Sequence, residues 1–188
     1  MSGGAVGRGL ASVRTYGWYP PIGRAPMLLW RAGFGPLMGI VFSIVSIRGR
    51  KTGNVHHNLV THRSAGGRTF LLGFYGRGSH WYRNLQADPR ITLQTALSTR
   101  SVRADALADE AEYADAYRLL RRSLIFRYWL WSHGIANDEA DFVAKRDRTV
   151  LIELRPTLDV TPDPVRVDLL WVWPALAAAW VAWRRLRS

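Results

Sequence analysis

The 188-residue sequence contains no cysteine, which excludes disulfides, thiolate metal ligands and cysteine nucleophiles. It has only two lysines, Lys51 and Lys145, so nearly all of its positive charge is arginine. Acidic residues are also few, 14 against 26 Lys and Arg, and the formal net charge is +12. This excess predicts an anionic partner, which composition alone leaves open among nucleic acid, anionic lipid and a polyanionic small molecule.

The sequence also lacks the pattern of a signal peptide. Residues 1–26 are rich in Gly, Pro and Arg and contain no apolar core, so they are expected to form a basic flexible arm. A cytoplasmic location, with peripheral attachment to the inner face of the membrane, is therefore expected.

The uncharged stretch 169–183 is too short for an ordinary membrane span. At 1.5 Å per residue it covers about 22 Å of a hydrocarbon core of about 30 Å. Pro174 interrupts it, and RRLR follows it on the side that basic residues avoid. We expect a helix that lies on a membrane or packs on a partner subunit, with docking on its own core as the third alternative. The apolar segment 27–39 is a second candidate for membrane contact.

Apolar patterning predicts one barrel-like domain with few helices. The predicted strands are IVFSIVSI (40–47), VHHNLVTH (55–62), TFLLGFY (69–75), ITLQTAL (91–97), SVRADAL (101–107) and RTVLIELRP (148–156). Helices are predicted at 27–39, at 80–87, and from Asp109 through Leu124, where a D-x-x-E start precedes helically spaced apolar residues. Six short strands with few helices favour a small barrel whose gaps the helices fill.

A cluster of cations joins the first two predicted strands, and we call residues Arg48–Gly53 the cationic turn. A nucleotide-binding P-loop would need glycine directly before Lys-Thr and a helix afterwards, whereas Arg50 precedes Lys51 and a strand follows. Turn amides and flanking cations can converge on a phosphate group. The chemistry of these residues leaves an anion site and a solvated basic hairpin turn equally open.

Other site types are disfavoured by spacing. His56 and His62 share one strand face but lie about 20 Å apart, too far to bind one metal ion. GRGSHW does not match a serine-nucleophile elbow, so Ser79 is not expected to be a nucleophile. Nucleic acid is disfavoured because no recognition helix, zinc finger or RNA-binding signature is present. The sequence contains no acid–base constellation, so it predicts neither a catalytic residue nor a metal site.

Three motifs together resemble the deazaflavin-dependent nitroreductase family, split β-barrel oxidoreductases that use coenzyme F420. They are RGRKTG, RTFLLGFYGRGSHWYRNLQADPRITLQ and RTVLIELRP, and the resemblance runs from about residue 27 to residue 156. It implies an α+β fold, a split β-barrel (FMN-binding-like) of about six antiparallel strands with peripheral helices. It also implies a cofactor with a deazaflavin ring, a phosphate and a polyglutamate tail, whose negative charge suits the basic composition.

The resemblance assigns cofactor-binding roles to residues of the cationic turn and of the segments that follow it. Arg50 and Lys51 would contact the phosphate and the start of the tail, and Arg48 would extend this patch. The remaining residues implied in cofactor binding are Thr52, Gly53, His56, Asn58, Leu59, Tyr75, Gly76, Arg77, Trp81 and Asn84.

The chain departs from its relatives at several of these positions and at one on the acceptor side. His56 stands where relatives often carry arginine, Leu59 where many have proline, and Thr61 where some have a tyrosine. Many relatives have a longer loop that contains a lysine where this chain has only YGRGSH. Arg77 would substitute for that lysine. The candidate acceptor wall, with ordinary core packing as the alternative, consists of Thr61, Tyr128, Trp129, Trp131 and Phe142.

The expected organisation is a basic arm (1–26), a cofactor-binding split barrel (27–156), and a Pro-containing linker with an apolar helix (157–188). The expected activity is hydride transfer from reduced F420 to an apolar acceptor such as a quinone, an enone or a nitroaromatic. An FMN-dependent reductase and a non-catalytic deazaflavin carrier are the alternatives, and the oligomeric state is open.

Overall fold

The computed structural model describes residues 25–39, 42–73 and 77–187. The predicted basic arm therefore lies almost entirely outside the described residues. The strands are β1 (Phe42–Arg48), β2 (Val55–Ala65), β3 (Arg68–Gly73), β4 (Arg90–Gln94), β5 (Thr99–Ala106) and β6 (Val150–Pro156). The α-helices are α1 (Ala25–Leu29), α2 (Gly35–Met38), α3 (His80–Ala87), α4 (Glu110–Leu120), α5 (Leu124–Ser132), α6 (Glu139–Ala144) and α7 (Val172–Arg187).

The six strands form a closed antiparallel barrel in the order β1-β2-β3-β6-β5-β4. This architecture confirms the predicted split-barrel fold, and β1, β2 and β3 follow one another as an antiparallel meander. Closure pairs β1 with β4, for example at Val45 and Leu93, and it leaves the barrel without an open sheet edge. The barrel interior is filled by branched side chains from all parts of the sheet, including Val45, Ile47 and Ile152.

Strand β1 is buried on both faces, which explains why its apolar residues do not alternate with exposed polar ones; its two serines, Ser43 and Ser46, are themselves buried. Val45 and Ile47 point into the barrel, whereas Ile44 packs outside against Met27 and Trp30 of the N-terminal helical segment. That segment is kinked at Gly33, whose φ of 96° is a left-handed backbone conformation that favours glycine.

A second core lies between the outer face of β3 and helices α4, α5 and α6. Phe70 and Leu72 contribute from the sheet, and helix side chains such as Tyr113, Phe126 and Trp129 complete it. Strand β3 is therefore packed on both faces, by the barrel core on its inner face and by the helices on its outer face.

The prediction of one helix from Asp109 through Leu124 is wrong at its end. Asp109 does cap α4, accepting a hydrogen bond from the Glu112 amide at 2.8 Å, as the start signal indicates. However, the helix ends at Leu120, and Ser123 caps a separate helix by accepting from the Phe126 amide. The hydroxyl of Ser123 thus supplies a new helix start that the apolar spacing conceals.

Helix α7 corresponds to the predicted C-terminal apolar helix. Residues just before and at its start, which we call its base, contact the N-terminal helical segment. Asp168 forms a two-pronged ion pair with Arg31, with N–O distances of 2.7 and 2.6 Å. The Trp173 indole N–H also donates to the Ala32 carbonyl oxygen at 2.8 Å. Within the part of the chain that the structure describes, no helix combines the length and apolar character needed to cross a bilayer.

Candidate functional site

The cationic turn is a compact hairpin connection between β1 and β2. The Gly49 amide donates to the Asn54 carbonyl at 2.8 Å, and the Gly53 amide donates to the Gly49 carbonyl at 2.8 Å. Gly53 has φ of 69°, so this position needs a residue that tolerates the left-handed conformation. Gly49 and Gly53 therefore close the turn, and the side chains of its cations are exposed.

Asn84 fastens the cationic turn to helix α3. Its side-chain oxygen accepts hydrogen bonds from the Arg50 amide at 3.3 Å and from the Arg50 guanidinium at 2.9 Å. Asn84 is only 6% exposed, so these bonds satisfy a buried polar group while restricting Arg50. The family resemblance implies that Asn84 supports the loop at residues 75–77 from the helix, whereas its contact here is with Arg50.

The cations of the turn differ in how strongly they are already paired. Arg48 donates to the Gly53 carbonyl at 3.4 Å and lies 3.9 Å from an Asp88 oxygen. Lys51 is exposed and has neither an ion pair nor a hydrogen bond among the described residues. The amides of Lys51 and Thr52 likewise have no hydrogen-bond partner in that part of the chain. An incoming anion would therefore meet a lysine and two amides without first displacing a carboxylate.

Asp88 is the acidic neighbour that sequence reasoning missed. It accepts two hydrogen bonds from the Arg90 side chain, at 2.8 and 3.1 Å, and these bonds, with Arg48 nearby, lower the pKa of its carboxyl. In the sequence, Asp88 and Pro89 mark only the end of the helix predicted at 80–87, because the proximity of Asp88 to Arg48 depends on the packing of α3 on β1. Asp88 thus holds one edge of the cationic turn.

The side chains predicted on β2 divide between the two sides of the barrel wall. His56 and Asn58 pair with Ile47 and Val45 and share their inner face. His56 also lies against Gly49, where an added Cβ would come within 2.7 Å of its Nε2 atom. Leu59 and Thr61 lie on the outer face, where Leu59 packs on the Ile44 cluster. The sheet therefore brings His56, but not Leu59 or Thr61, next to the cationic turn.

Two further histidines on β2 are held by serines of β1. The Nδ1 atom of His57 is 2.9 Å from Ser46 Oγ, and that of His62 is 2.7 Å from Ser43 Oγ. Burial lowers the pKa of both imidazoles, and the neighbouring charge of Arg63 lowers the pKa of His62 further.

We expect a His62→Asn variant to flatten the dependence of stability on pH. The unfolded chain binds a proton at His62 near pH 6.5, whereas the folded protein resists protonation, so stability is lost as pH falls below about 6.5. Urea midpoints measured between pH 8 and pH 5 should fall less in the variant than in the native protein. Equal slopes in the two proteins would contradict this assignment.

Residues on the other side of the site precede or lie on α3. Tyr75 and Gly76 lie outside the described residues. Arg77 is 3.7 Å from Asp147, and Trp81 packs against Gly73 at the end of β3. The Ser79 hydroxyl is buried and has no hydrogen-bond partner among the described residues. No motif in the sequence indicates this buried donor.

The candidate acceptor residues do not lie together. Trp129 and Phe142 are fully buried in the core between β3 and the helices, which agrees with the core-packing alternative. Tyr128 and Trp131 are exposed on α5, with ring centroids 5.7 Å apart, and line a shallow apolar depression. Thr61 is buried on the outer face of β2.

Comparisons with known proteins bear on this barrel and its turn. No relative was found among curated proteins. Among solved structures the chain is similar to an F420-H2 dependent reductase at 13% identity, covering 61% of this chain and 93% of that one with a TM-score of 0.43. It is also similar to a conserved hypothetical protein from Mycobacterium tuberculosis at 19% identity, with coverage of 62% and 72% and a TM-score of 0.40.

The family comparison gives the assignment. The model of the F420H2-dependent quinone reductase family matches residues 32–129, just over half of the chain, a range that includes the cationic turn, α3 and most of the barrel strands. This match confirms the resemblance to F420-dependent split-barrel reductases that the sequence motifs indicate. The chain therefore belongs to the F420H2-dependent quinone reductase family and is an oxidoreductase whose cofactor is coenzyme F420.

Proposed function

We propose that this reductase passes a hydride from reduced F420 to an apolar, quinone-like acceptor, and that the cationic turn binds the phosphate and glutamyl tail. One observation carries the assignment of the turn. Arg50 and Lys51 are exposed side by side, and neither forms an ion pair with a carboxylate in the described part of the chain. Such cations are available to pair with an external anion.

The donor chemistry of the site fits a cofactor that carries several negative charges. The turn offers two side-chain cations, the Thr52 hydroxyl and the amides of Lys51 and Thr52, which together suit phosphate and carboxylate oxygens. The buried Ser79 hydroxyl at the start of α3 is a further donor in need of an acceptor. A flavin with a single phosphate would use fewer of these groups than a polyglutamate tail.

The protein's own part in the reaction is binding and orientation. When bound, F420H2 supplies the hydride, so no acid–base pair is required of the chain. Asn84 restricts Arg50, and the barrel wall behind the turn fixes His56 and Asn58 on its inner face. These residues would hold the cofactor in one place, which raises the rate by limiting unproductive geometries.

Steady-state turnover tests the activity directly. Reduced F420 mixed with the protein and menadione should be oxidised at a rate proportional to protein concentration, as measured by the return of F420 absorbance. Tight F420 binding without menadione-dependent oxidation would instead support a carrier protein. A parallel titration with FMN should show much weaker binding, because FMN lacks the polyglutamate tail. Tighter binding of FMN than of F420 would contradict the assignment of the turn.

Asn84 should act as a positioning residue for Arg50. In Asn84→Ala the Arg50 guanidinium loses its acceptor, and we expect F420 affinity to fall about tenfold, the effect of a contact of about 1.4 kcal/mol. Asn84→Asp keeps an acceptor but adds a negative charge that competes with the cofactor, so affinity should fall further.

The order of the F420 affinities of these two variants distinguishes a positioning role of Asn84 from simple structural support. Fluorescence quenching on F420 titration measures the affinities, and Gln86→Ala on the exposed part of the same helix is the matched control. If Asn84→Asp bound F420 as well as the native protein, the turn would not be the anion site.

A further inference from the structure

Helix α7 presents an apolar surface that the other described residues leave exposed. Every described side chain from Trp173 to Arg185 is exposed. The large apolar members of this surface are Trp173, Leu176, Trp180, Val181 and Trp183, and Leu170 and Trp171 precede the helix. We propose that α7 docks this reductase on an anionic bilayer surface, lying in the interface rather than crossing it.

The chemistry of α7 changes abruptly near its end. From Val172 to Trp183 no side chain is charged, and then Arg184, Arg185 and Arg187 follow. The guanidinium of Arg184 lies 4.6 Å from the Trp180 ring, and that of Arg187 lies 4.2 Å from the Trp183 ring. Indole rings beside cations suit the boundary between headgroups and acyl chains, where the ring is buried and the charge meets phosphate.

The base of α7 is attached firmly enough to transmit docking to the barrel. The Arg31–Asp168 ion pair is two-pronged, and the Arg31 side chain is largely buried. Phe34 and Trp173 form an edge-to-face pair with centroids 5.1 Å apart. The N-terminal segment itself also exposes Leu28, Leu29 and Leu37.

Charge favours lipid over a second copy of this chain. Residues 169–187 contain three arginines and no acidic residue, so α7 offers a second α7 no complementary charge. An anionic bilayer supplies that charge along with an apolar layer, and the net charge of +12 adds to the attraction. At 16 residues the helix is about 24 Å long, which suits a position in the plane of the interface.

Vesicle co-sedimentation of the full chain without cofactor tests this proposal independently of the reductase assignment. The probes are phosphatidylcholine vesicles and vesicles that also contain phosphatidylglycerol. We expect binding mainly to the anionic vesicles. The triple variant Arg184→Gln, Arg185→Gln, Arg187→Gln should weaken it about a hundredfold, at roughly fivefold for each arginine near the surface.

Two matched variants separate docking from general charge and hydrophobicity. Arg100→Gln, Arg121→Gln, Arg122→Gln removes the same charge from exposed positions elsewhere and should weaken binding much less. The variant Trp180→Ser, Trp183→Ser should lower vesicle affinity at least tenfold. Trp131→Ser, at an exposed position of α5, should not lower it. The proposal is overturned if the native chain does not bind anionic vesicles, or if both triple variants bind them equally. Light scattering tests the alternative of a second copy on α7. The proposal is also overturned if the native chain is a dimer and the Trp180/Trp183 variant becomes a monomer without losing vesicle affinity.

Discussion

The double variant Arg50→Ala, Lys51→Ala should bind reduced F420 at least about a hundredfold more weakly than the native protein. Each replaced cation would otherwise make a charge-assisted contact with a phosphate or carboxylate oxygen, of about 1.5–3 kcal/mol. Both side chains are exposed, and the Arg50 amide still donates to the buried Asn84 oxygen in the variant, so the melting temperature should fall only slightly. Fluorescence quenching during F420 titration gives the dissociation constants.

Salt and a charge-matched control make this experiment specific. Affinity of the native protein should decrease with ionic strength, and that decrease should become smaller in the variant because two of the screened charges are gone. Arg121→Ala, Arg122→Ala removes an equal charge from the exposed connection between α4 and α5. If this control weakens binding as much as the cationic-turn variant does, the attraction is a property of the whole basic surface.

The cationic turn shows how far the sequence predicts the site. Gly49 and Gly53 bracket the cations Arg50 and Lys51 between two strand patterns, and this local information was enough to predict the hairpin. The strand face that carries His56 follows from alternation along β2, and register with β1 confirms it. Local pattern thus predicts what neighbouring residues do to each other.

Contacts between distant segments were not accessible in the same way. Asn84 reaches Arg50, and Asp88 reaches Arg48, only because α3 packs on β1 after the barrel closes. A buried asparagine needs hydrogen-bond partners, but the local sequence does not identify Arg50 as the residue that supplies them to Asn84. Similarly, spacing could not separate Trp129 from Trp131, since both are aromatic residues in one apolar run and only packing decides which is buried.

Trp129 is the residue whose removal should destabilise the fold most. Its side chain is 0% exposed and is stacked on Phe126 with centroids 5.7 Å apart. Its indole N–H donates to the Gly73 carbonyl at 3.1 Å, which joins α5 to the end of β3. Truncation to alanine therefore leaves both a cavity and an unpaired carbonyl oxygen, two costs that add.

We expect Trp129→Ala to lower the free energy of unfolding by about 3–5 kcal/mol, and the melting temperature by about 6–20 °C. Trp131→Ala, two residues along the same helix and 73% exposed, should change it by less than about 0.5 kcal/mol. Trp129→Phe keeps most of the volume but loses the N–H, so an intermediate loss would assign part of the effect to the Gly73 contact. Equal melting temperatures for the two alanine variants would contradict the assignment of Trp129 to the core.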